Sequence, residues 1–538
     1  MIQMNRYHLI NKNTLSILAL TSVGSLLASN HGNEKPNVII LFSDQHNANV
    51  FGYTGHPDAV TPNLDKMAEK GMVFCRAYCQ NAVSVPSRTT FLTGLYPRTL
   101  GYLDNDPINT STLEQSIPIQ KVFQQNGYET YAFGKRHLEK RADEGWTVHK
   151  GHVAYESPDD NYVKWIEKEG FAEAFGEDWA TEFGVFPRGN ALENKKYPTA
   201  EMGTRTTKLP GDKTMEAYSA LNTIDVIREH AKNKKPFFCF TSFYRPHQPY
   251  NPLPEYLNRY DKTRWGKGRN NGDAIAMPVT LRQPADQLPP ILNEWRNNTK
   301  TIWCLKKAAE DEQLYRDYIA AYYALVEEID YWVGEIFKEL EKQDMIDNTI
   351  IIYTSDHGDF TGNHGMIEKA SVGHNVFEET LRVPLMFFWK NKIMQNLTNN
   401  DLVGLIDVFP TLLELTGLQK PEFIIDLQGK SLAPALFNNE PVDRKYIVSE
   451  NWSQATVITQ THKLGIWLDT WPIPKWRDWR TWGNMLFDYK ADPYEINNLY
   501  GKEETNDTAF LLRSYFDEFQ TQVSDQGKKE RMIEILNQ

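Results

Sequence analysis

The sequence predicts an α/β protein with a doubly wound, mostly parallel sheet and a smaller C-terminal α+β subdomain. Apolar runs alternate with amphipathic helical stretches, and four of the runs end abruptly in a cluster of His, Asp, Lys or Arg residues. An unbroken apolar run is typical of a strand that is buried on both faces of a parallel sheet. The four runs with their polar ends are residues 36–45, 129–138, 235–250 and 348–359.

Amphipathic helices are predicted directly before two of these strands. Apolar residues follow the spacing of a buried helical stripe from Met215 to Ile227 and again from Tyr318 to Leu340. Strands that alternate with helices in this way run parallel, and ligands bind outside their carboxyl ends. We therefore expect the four polar clusters to form a single site.

Other parts of the chain do not follow this alternation. Residues 156–212 and 264–298 are polar and punctuated by Gly and Pro, which indicates insertions that shape a binding surface. From about Asp443, short β-like segments and a Trp-rich stretch precede a helical tail. We therefore predict a main α/β domain at residues 36–440 and a C-terminal subdomain at 441–538.

Charge and the N-terminal segment limit the class of protein. The 538-residue chain has a formal net charge of -12 and scattered Lys and Arg residues, so no nucleic-acid partner is expected. Residues 1–28 begin with basic positions and continue into an apolar stretch of small residues, the order of a secretory signal peptide. The apolar stretch is shorter than the roughly 20 residues of a membrane-spanning helix. We expect an exported protein, periplasmic or secreted, without stable membrane insertion after signal cleavage.

The first and last of the four strands end in potential metal ligands. Asp44 and Gln45 follow one strand, and Asp356 and His357 follow the other. Oxygen atoms suit a hard divalent cation, and two buried carboxylates need a cation to offset their repulsion. The imidazole favours zinc or manganese over calcium, but the predicted site lacks the further His and Asp ligands of a two-zinc phosphatase. The pattern predicts one cation, although each Asp alone is equally well interpreted as a helix cap.

The remaining clusters are cationic. A site that combines one cation with several basic side chains suits an oxyanion such as sulfate or phosphate. Any one of these residues alone is more typical of a protein surface, and their shared position at strand ends favours the functional interpretation. The basic residues are Arg88, Lys135, His137, Arg245, His247 and Lys369.

Residues 80–94, QNAVSVPSRTTFLTG, place two hydroxyl groups and a guanidinium around a proline. Alone, this composition is equally typical of a loop that leads into a helix. However, SVPSRTTFLTG resembles the sulfatase signature C/S-x-P-S-R, and the resemblance continues in chain order from about Asn37 to Leu499. It includes the segments NVIILFSDQ, TPNLDKMAEKGMVFCRAY, GLYPRTLG, AFGKRHL, NTIIIYTSDHGDFTGNHGM and MLFDYKADPYEINNL. It implies an alkaline-phosphatase-like fold.

The resemblance implies that Ser84 is a precursor. In this family, the Cys or Ser at that position is oxidised to formylglycine (3-oxoalanine), whose aldehyde hydrates to a geminal diol. One hydroxyl attacks sulfur, and the other later loses its proton, so that the diol collapses and expels sulfate. A Ser at this position implies a bacterial protein that is modified by an anaerobic-type sulfatase-maturing enzyme, which would read Pro86 and Arg88.

The resemblance also implies a set of cation ligands. Asp44, Gln45, Asp356, His357 and the modified Ser84 would bind one divalent cation, which is Ca²⁺ by the habit of the family. Gln45 stands where the family often has Asp, and His357 stands where Asn is common. Because the Gln removes one negative charge, we expect a weaker metal affinity.

The same resemblance implies roles for the basic residues. Lys135, His247 and Lys369 would hold the sulfate oxygens and offset the charge that builds in the transition state. His137 would take the diol proton, His247 would protonate the leaving alcohol, and Arg88 would stabilise the modified residue.

The expected substrate is a sulfated carbohydrate, such as a glycosaminoglycan, a mucin or an algal glycan. Stacking faces for sugars would come from the Trp-rich stretch, although packing at the subdomain edge explains these residues equally well: Trp471, Trp476, Trp479 and Trp482. One alternative is a phosphomonoesterase or phosphodiesterase of the same superfamily that uses Ser84 directly. A second is a catalytically inactive protein that binds sulfated glycans.

Overall fold

The structure is a computed structural model of the 538-residue chain. It describes residues 35–103, 105, 116–138, 141–153, 156–183, 206–260, 275–284, 312–369, 376–419, 421, 426–451, 454–468 and 483–523, with the side chains of 180–183 excepted. The predicted signal peptide, residues 1–28, and the Trp-rich stretch at 469–482 lie outside these ranges. None of the described helices is long and apolar enough to cross a membrane.

The described residues form a large mixed sheet and two smaller sheets. The strands are β1 Asn37–Asp44, β2 Met72–Phe74, β3 Ala77–Tyr78, β4 Glu129–Gly134, β5 Val148–Lys150, β6 Phe237–Pro246, β7 Thr349–Ser355, β8 Arg382–Val383, β9 Leu385–Phe388, β10 Leu397–Asn399, β11 Val403–Gly404, β12 Ile447–Asn451, β13 Gln454–Ile458, β14 His462–Trp467 and β15 Met485–Asp488. The large sheet has the order β10-β2-β9-β7-β1-β6-β4-β5. Strand β9 runs antiparallel to both neighbours, and the other pairs are parallel. The prediction of a mostly parallel sheet is confirmed.

Helices cover both faces of this sheet. The helices of the described residues, including those outside this sheet, are α1 Pro62–Lys70, α2 Ser84–Thr93, α3 Pro97–Leu100, α4 Ile119–Gln125, α5 Tyr162–Lys168, α6 Ala172–Phe183, α7 Met215–Asn233, α8 Pro254–Leu257, α9 Glu312–Lys342, α10 Glu378–Leu381, α11 Val408–Thr416, α12 Ala433–Asn438 and α13 Asn506–Gln522. Helices α7 and α9 contain the apolar stripes that the sequence predicts, and they lead into β6 and β7.

Strand β1 shows why the apolar runs are unbroken. Its side chains alternate between two cores, because successive residues of a strand point to opposite faces of the sheet. Ile39 and Leu41 pack in a core with residues of α7 and α9. Ile40 and its same-face neighbours pack in a second core with residues of α2, α4 and α11. Both faces are therefore dry, and every residue of β1 is buried.

The C-terminal part contains a separate antiparallel sheet. Strands β12 to β15 pair in chain order, and α13 shares a core with them. Tyr96 and Ile406 also belong to this core, so the small sheet packs against the main body. The predicted insertion at 156–212 contains helices α5 and α6 in its described part, while 264–298 is described only at 275–284.

Candidate active site

Four neighbouring strands carry the polar clusters to one edge of the sheet. In the order β7, β1, β6 and β4, these strands lie next to each other at the centre of the large sheet. Parallel strands place their carboxyl ends at the same edge, so residues more than 300 positions apart become neighbours. The structure brings Asp44, Lys135, Asp356 and His357 together there.

Helix α2 places Ser84 beside this cluster. Ser84 is the first residue of the helix and is only 2% exposed. Asn81 Oδ1 accepts a hydrogen bond from the Val83 amide at 2.8 Å, which holds the chain at the helix entrance. Ser84 Oγ lies 3.2 Å from Nε2 of His357. The hydroxyl thus stands at a positive helix end and next to a candidate metal ligand.

The acidic cluster has the composition of a cation site. Asp44, Asp356 and His357 each offer a ligand atom, and the three atoms lie within 4.8 Å of one another. Asp44 Oδ1 is buried and accepts no hydrogen bond from the described residues. His357 Nδ1 donates to the Gly358 carbonyl at 2.9 Å, which leaves Nε2 as an acceptor or ligand. Two carboxylates, one unpartnered oxygen and a ring nitrogen fit a divalent cation.

Arg88 lies between the two acidic residues. Its Nη2 donates to Asp44 Oδ2 and its Nε donates to Asp356 Oδ2, both at 2.9 Å. Nη1 donates to the Lys135 carbonyl and to Ser242 Oγ. All of these side chains are buried, and the guanidinium therefore offsets the repulsion between two carboxylates in a low-dielectric place.

Lys135 adds a second positive charge. Its Nζ lies 2.6 Å from Asp44 Oδ2. Burial alone would raise the pKa of Asp44, but the charges of Lys135 and Arg88 outweigh it and hold that pKa well below the usual Asp value. Burial and its cationic neighbours lower the pKa of Lys135, although Asp44 opposes this shift. Asp44 is thus ionised at neutral pH.

The histidines of the site are neutral at neutral pH. Burial, followed by the charge of Lys135, lowers the pKa of His137 and of His247 well below 6.5. Burial also lowers the pKa of His357 to about 4. His137 Nδ1 is buried and has no hydrogen-bond partner among the described residues. A neutral imidazole with an open nitrogen can accept a proton.

Gln45 and Lys369 are in contact. Lys369 Nζ donates to Gln45 Oε1 at 3.0 Å, and Gln45 Nε2 donates to Asp359 Oδ2 at 2.7 Å. The Gln45 side-chain oxygen thus faces an ammonium group in this structure. Its role as a cation ligand stays a prediction.

The family model for sulfatases matches residues 36–418, which is more than half of the chain. This chain belongs to the sulfatase family. A second model, the C-terminal region of N-sulphoglucosamine sulphohydrolase, matches residues 362–522 of this sulfatase. Membership of the family implies a metal ion and a formylglycine residue.

Similar proteins extend over nearly the whole sulfatase. It is 26% identical over 567 aligned residues to an N-acetylglucosamine-6-O-sulfatase of Bacteroides thetaiotaomicron, covering 96% of this chain and 92% of the relative. A phosphonate monoester hydrolase of Agrobacterium radiobacter has a TM-score of 0.71 and 21% identity, covering 91% of this chain and 96% of the other. A structure in complex with its substrate D-glucosamine-2-N,6-O-disulfate has a TM-score of 0.62 and 22% identity, covering 92% and 99%. At these identities the solved structures show the fold, and the alkaline-phosphatase-like architecture is confirmed.

One basic residue of the sulfatase lies apart from the group predicted from sequence. The guanidinium of Arg245 faces Glu216 Oε2 at 3.9 Å and donates to the carbonyls of His247 and Pro249. It thus shapes the backbone around His247, whose Nδ1 donates to the Gln248 carbonyl.

Other residues of the sulfatase site were not predicted. Glu156 Oε1 accepts hydrogen bonds from the amides of Arg136 and His137, at 3.0 and 2.9 Å. It lies in the predicted insertion, where no sequence pattern marks it. Asp359 is two positions after His357 in the SDHGD segment, and this closeness was the available signal.

Proposed function

We propose that this sulfatase removes sulfate from a sulfated carbohydrate, using a formylglycine that is formed from Ser84. The observation that carries the proposal is the position of the Ser84 hydroxyl, 3.2 Å from His357 Nε2 at the first turn of α2. A nucleophile there lies between an acidic cluster that suits a cation and basic residues that suit an oxyanion.

The proposed cation is a single Ca²⁺. Asp44, Asp356 and His357 would hold it, joined by Gln45 and the modified Ser84. When bound, the cation would offset the charges of the carboxylates and stabilise the negative charge that develops near residue 84. The unpartnered Asp44 Oδ1 supports a ligand role for this residue.

The basic residues would act on the sulfate ester. Lys135 and Lys369 would bind the sulfate oxygens, which carry more charge in the transition state than in the substrate. His137, neutral and with an open Nδ1, would take the proton from the hydrated residue 84. His247 would give a proton to the leaving alcohol.

A carbohydrate substrate is supported by the relatives. The Bacteroides thetaiotaomicron relative is named for the removal of sulfate from N-acetylglucosamine, and one solved relative holds a disulfated glucosamine. A glycosaminoglycan, a mucin or an algal glycan fits this chemistry. The stacking role of the four Trp residues in the stretch 469–482 remains part of the proposal.

The proposal includes export and maturation. Residues 1–28 have the order of a bacterial signal peptide, which would direct the protein to the periplasm or the medium. An anaerobic-type sulfatase-maturing enzyme would convert Ser84 and would recognise Pro86 and Arg88 in the chain.

A phosphomonoesterase or phosphodiesterase is the second candidate. The TM-score of 0.71 to a phosphonate monoester hydrolase favours it, because that fold accommodates phosphorus esters. It would use Ser84 directly and requires further metal ligands. Among the described residues, Asp44, Asp356 and His357 form the one group of His, Cys, Asp or Glu side chains close enough to hold a metal ion.

Mass spectrometry tests the nucleophile. Protein made in a host with an anaerobic-type maturing enzyme should yield a residue 80–94 peptide lighter by one hydrogen molecule than the encoded sequence. Serine alone at position 84 would contradict the sulfatase mechanism and favour the phosphoesterase.

A substrate panel tests the reaction. Sulfated mono- and disaccharides and matched phosphate esters should be assayed with Ser84→Ala as the blank. We expect sulfate release above the blank and little phosphate release. Binding of sulfated glycans without any cleavage would support the inactive-protein alternative.

A further inference from the structure

Three buried side chains, Lys369, Gln45 and Asp359, are connected by hydrogen bonds. They link Lys369, the proposed sulfate ligand, to Tyr318 of helix α9. Lys369 Nζ donates to Gln45 Oε1 at 3.0 Å, and Gln45 Nε2 donates to Asp359 Oδ2 at 2.7 Å. Gln45 and Asp359 are fully buried, and Lys369 is 7% exposed. In the described part of the chain, Gln45 Oε1 is the hydrogen-bond acceptor of the Lys369 ammonium.

The charges at the two ends determine the direction of the Gln45 amide. An ammonium group only donates, and a carboxylate only accepts. The amide can satisfy both neighbours in one orientation, with its oxygen toward Lys369 and its nitrogen toward Asp359. If the amide turned over, a donor would face a donor and an acceptor would face an acceptor in a buried place. The backbone of Gln45 is also held, since its carbonyl accepts from Tyr322 at 2.6 Å.

Asp359 is itself held as an acceptor. Its Oδ1 accepts from the Tyr318 hydroxyl and from the Thr361 amide, both at 2.6 Å. With Gln45 Nε2 and the Thr361 hydroxyl, which lies 3.2 Å from Oδ1, four donors converge on two oxygens. An amide at position 359 would present its own N–H groups to at least one of these donors. The site therefore requires a carboxylate.

We propose that Asp359 is a positioning residue of the sulfatase, and that it acts through Gln45. By holding the Gln45 nitrogen, it turns the amide oxygen toward Lys369, which fixes the ammonium that is proposed to bind sulfate. Asp359 also places a negative charge next to the neutral amide of Gln45. The role in turnover rests on the proposed function, whereas the orientation of the amide does not.

An exchange of charge between positions 45 and 359 tests this directly. In Asp359→Asn, we expect Ca²⁺ affinity and kcat to fall by about 10- to 100-fold, as for outer residues that orient metal ligands. In Gln45→Glu, two carboxylates face each other. Combining the substitutions restores one amide and one carboxylate in contact, now in exchanged places. Asp359→Asn should therefore be harmful in the wild-type background and beneficial in the Gln45→Glu background.

The readouts are Ca²⁺ affinity by calorimetry, kcat and KM for a sulfate ester, and unfolding in EDTA. Asp330→Asn is the matched control, because Asp330 is a buried carboxylate of α9 that accepts from the amides of Asn63 and Leu64 away from the site. This control should lose stability but keep the Ca²⁺ affinity and kcat of the wild type.

The reversal of sign separates positioning from a purely structural role. If Asp359→Asn changes Ca²⁺ affinity and kcat by the same factor in the wild-type and Gln45→Glu backgrounds, the inference is wrong. Wild-type affinity and kcat in the folded Asp359→Asn variant would also overturn it. A protein that cleaves no sulfate ester would contradict the proposed function, while the calorimetric comparison would still decide whether Asp359 orients Gln45.

Discussion

Arg88 is the residue that allows two buried carboxylates to lie together. We predict that Arg88→Met lowers the free energy of unfolding in EDTA by about 3–5 kcal/mol, because Asp44 and Asp356 lose their shared partner. Added Ca²⁺ should recover part of this loss, since a cation bound by both carboxylates replaces the missing charge. Urea denaturation with EDTA and with Ca²⁺ measures both effects.

Arg98 provides the control for this prediction. It forms a buried ion pair with Glu450, and neither residue is among the candidate cation ligands. Arg98→Met should lose a similar free energy, but Ca²⁺ should leave the difference from wild type unchanged. An equal response of the two variants to Ca²⁺ would show that Asp44 and Asp356 do not bind the cation.

His247 should make the reaction depend on pH. Burial and the charge of Lys135 hold the pKa of His247 well below 6.5. The protonated fraction of His247 therefore falls as the pH rises through the neutral range. If His247 protonates the leaving alcohol, kcat/KM for a sugar sulfate should therefore decrease between pH 6 and 8. The pH profile of the modified enzyme checks this direction.

A change of leaving group isolates the same step. His247→Gln should lower kcat for a sugar sulfate by about 100- to 10,000-fold, the usual contribution of a general acid. With 4-nitrophenyl sulfate the loss should be much smaller, because a nitrophenolate leaves without a proton. Equal losses on both substrates would assign His247 to sulfate binding alone.

For individual residues, the sequence predicts which side chains reach the site better than it predicts the contacts between them. Asp44, Asp356, His357 and Lys135 follow predicted strands, so their meeting at one sheet edge follows from topology. The direction of the Gln45 amide depends on Lys369 and on donors from α9, which no local pattern encodes. Glu156 acts on backbone amides from an insertion and leaves no motif.

Helix α2 positions Ser84, which is its first residue. It ends at Thr93 and is capped by Gly94, which has a φ of 67° and donates to the Thr90 carbonyl. A Cβ at this position would lie 2.9 Å from Leu427 Cδ2. We predict that Gly94→Ala costs about 1–2 kcal/mol for the left-handed conformation, and about 0.5–1.5 kcal/mol more because the Leu427 side chain has to move off its rotamer. Denaturant unfolding measures this loss of stability. If the contact with Leu427 displaces α2 and thus Ser84, kcat should fall as well.

Gly417 is a matched control at the end of α11. Its φ is 65°, and a Cβ there would meet nothing within 4 Å. Gly417→Ala should therefore show only the conformational cost and retain full kcat. If the two variants lose the same free energy, the contact with Leu427 does not constrain α2.

Elements with strong periodicity were the predictable ones. The apolar stripes of α7 and α9 and the buried strands between them follow from spacing. An apolar run carries no information on strand direction, so the reversed strand β9 could not be inferred. Edge strands of two or three residues, such as β10, are too short to show a pattern.

The whole molecule encloses Ser84. The residue is 2% exposed, and every residue of α2 is buried. A substrate has to bring only its sulfate group to residue 84, whereas a maturing enzyme would have to bring its whole catalytic centre to the buried Ser84 side chain. We predict that the folded, unmodified protein is a poor substrate for a maturing enzyme, whereas the residue 80–94 peptide is converted. Mass spectrometry of both after incubation measures the difference.

The denatured protein serves as the control in this experiment. Conversion of denatured chain but not of folded chain would show that structure, rather than sequence context, limits the reaction. Conversion of folded protein at the rate of the peptide would contradict the prediction and would require α2 to open.

The position of β1 between β6 and β7 determines when the parts of the site can come together during synthesis of the chain. This early strand is paired on one side with β6 and on the other with β7, and Gln45 bonds to Asp356 across 311 positions. A nascent chain that ends before β7 has Asp44 but lacks Asp356 and His357, so it cannot bind the cation as the full protein would. Once β7 pairs with β1, Asp356 and His357 lie beside Asp44 and Ser84. If the folded protein resists modification as predicted above, conversion of Ser84 has to precede this pairing.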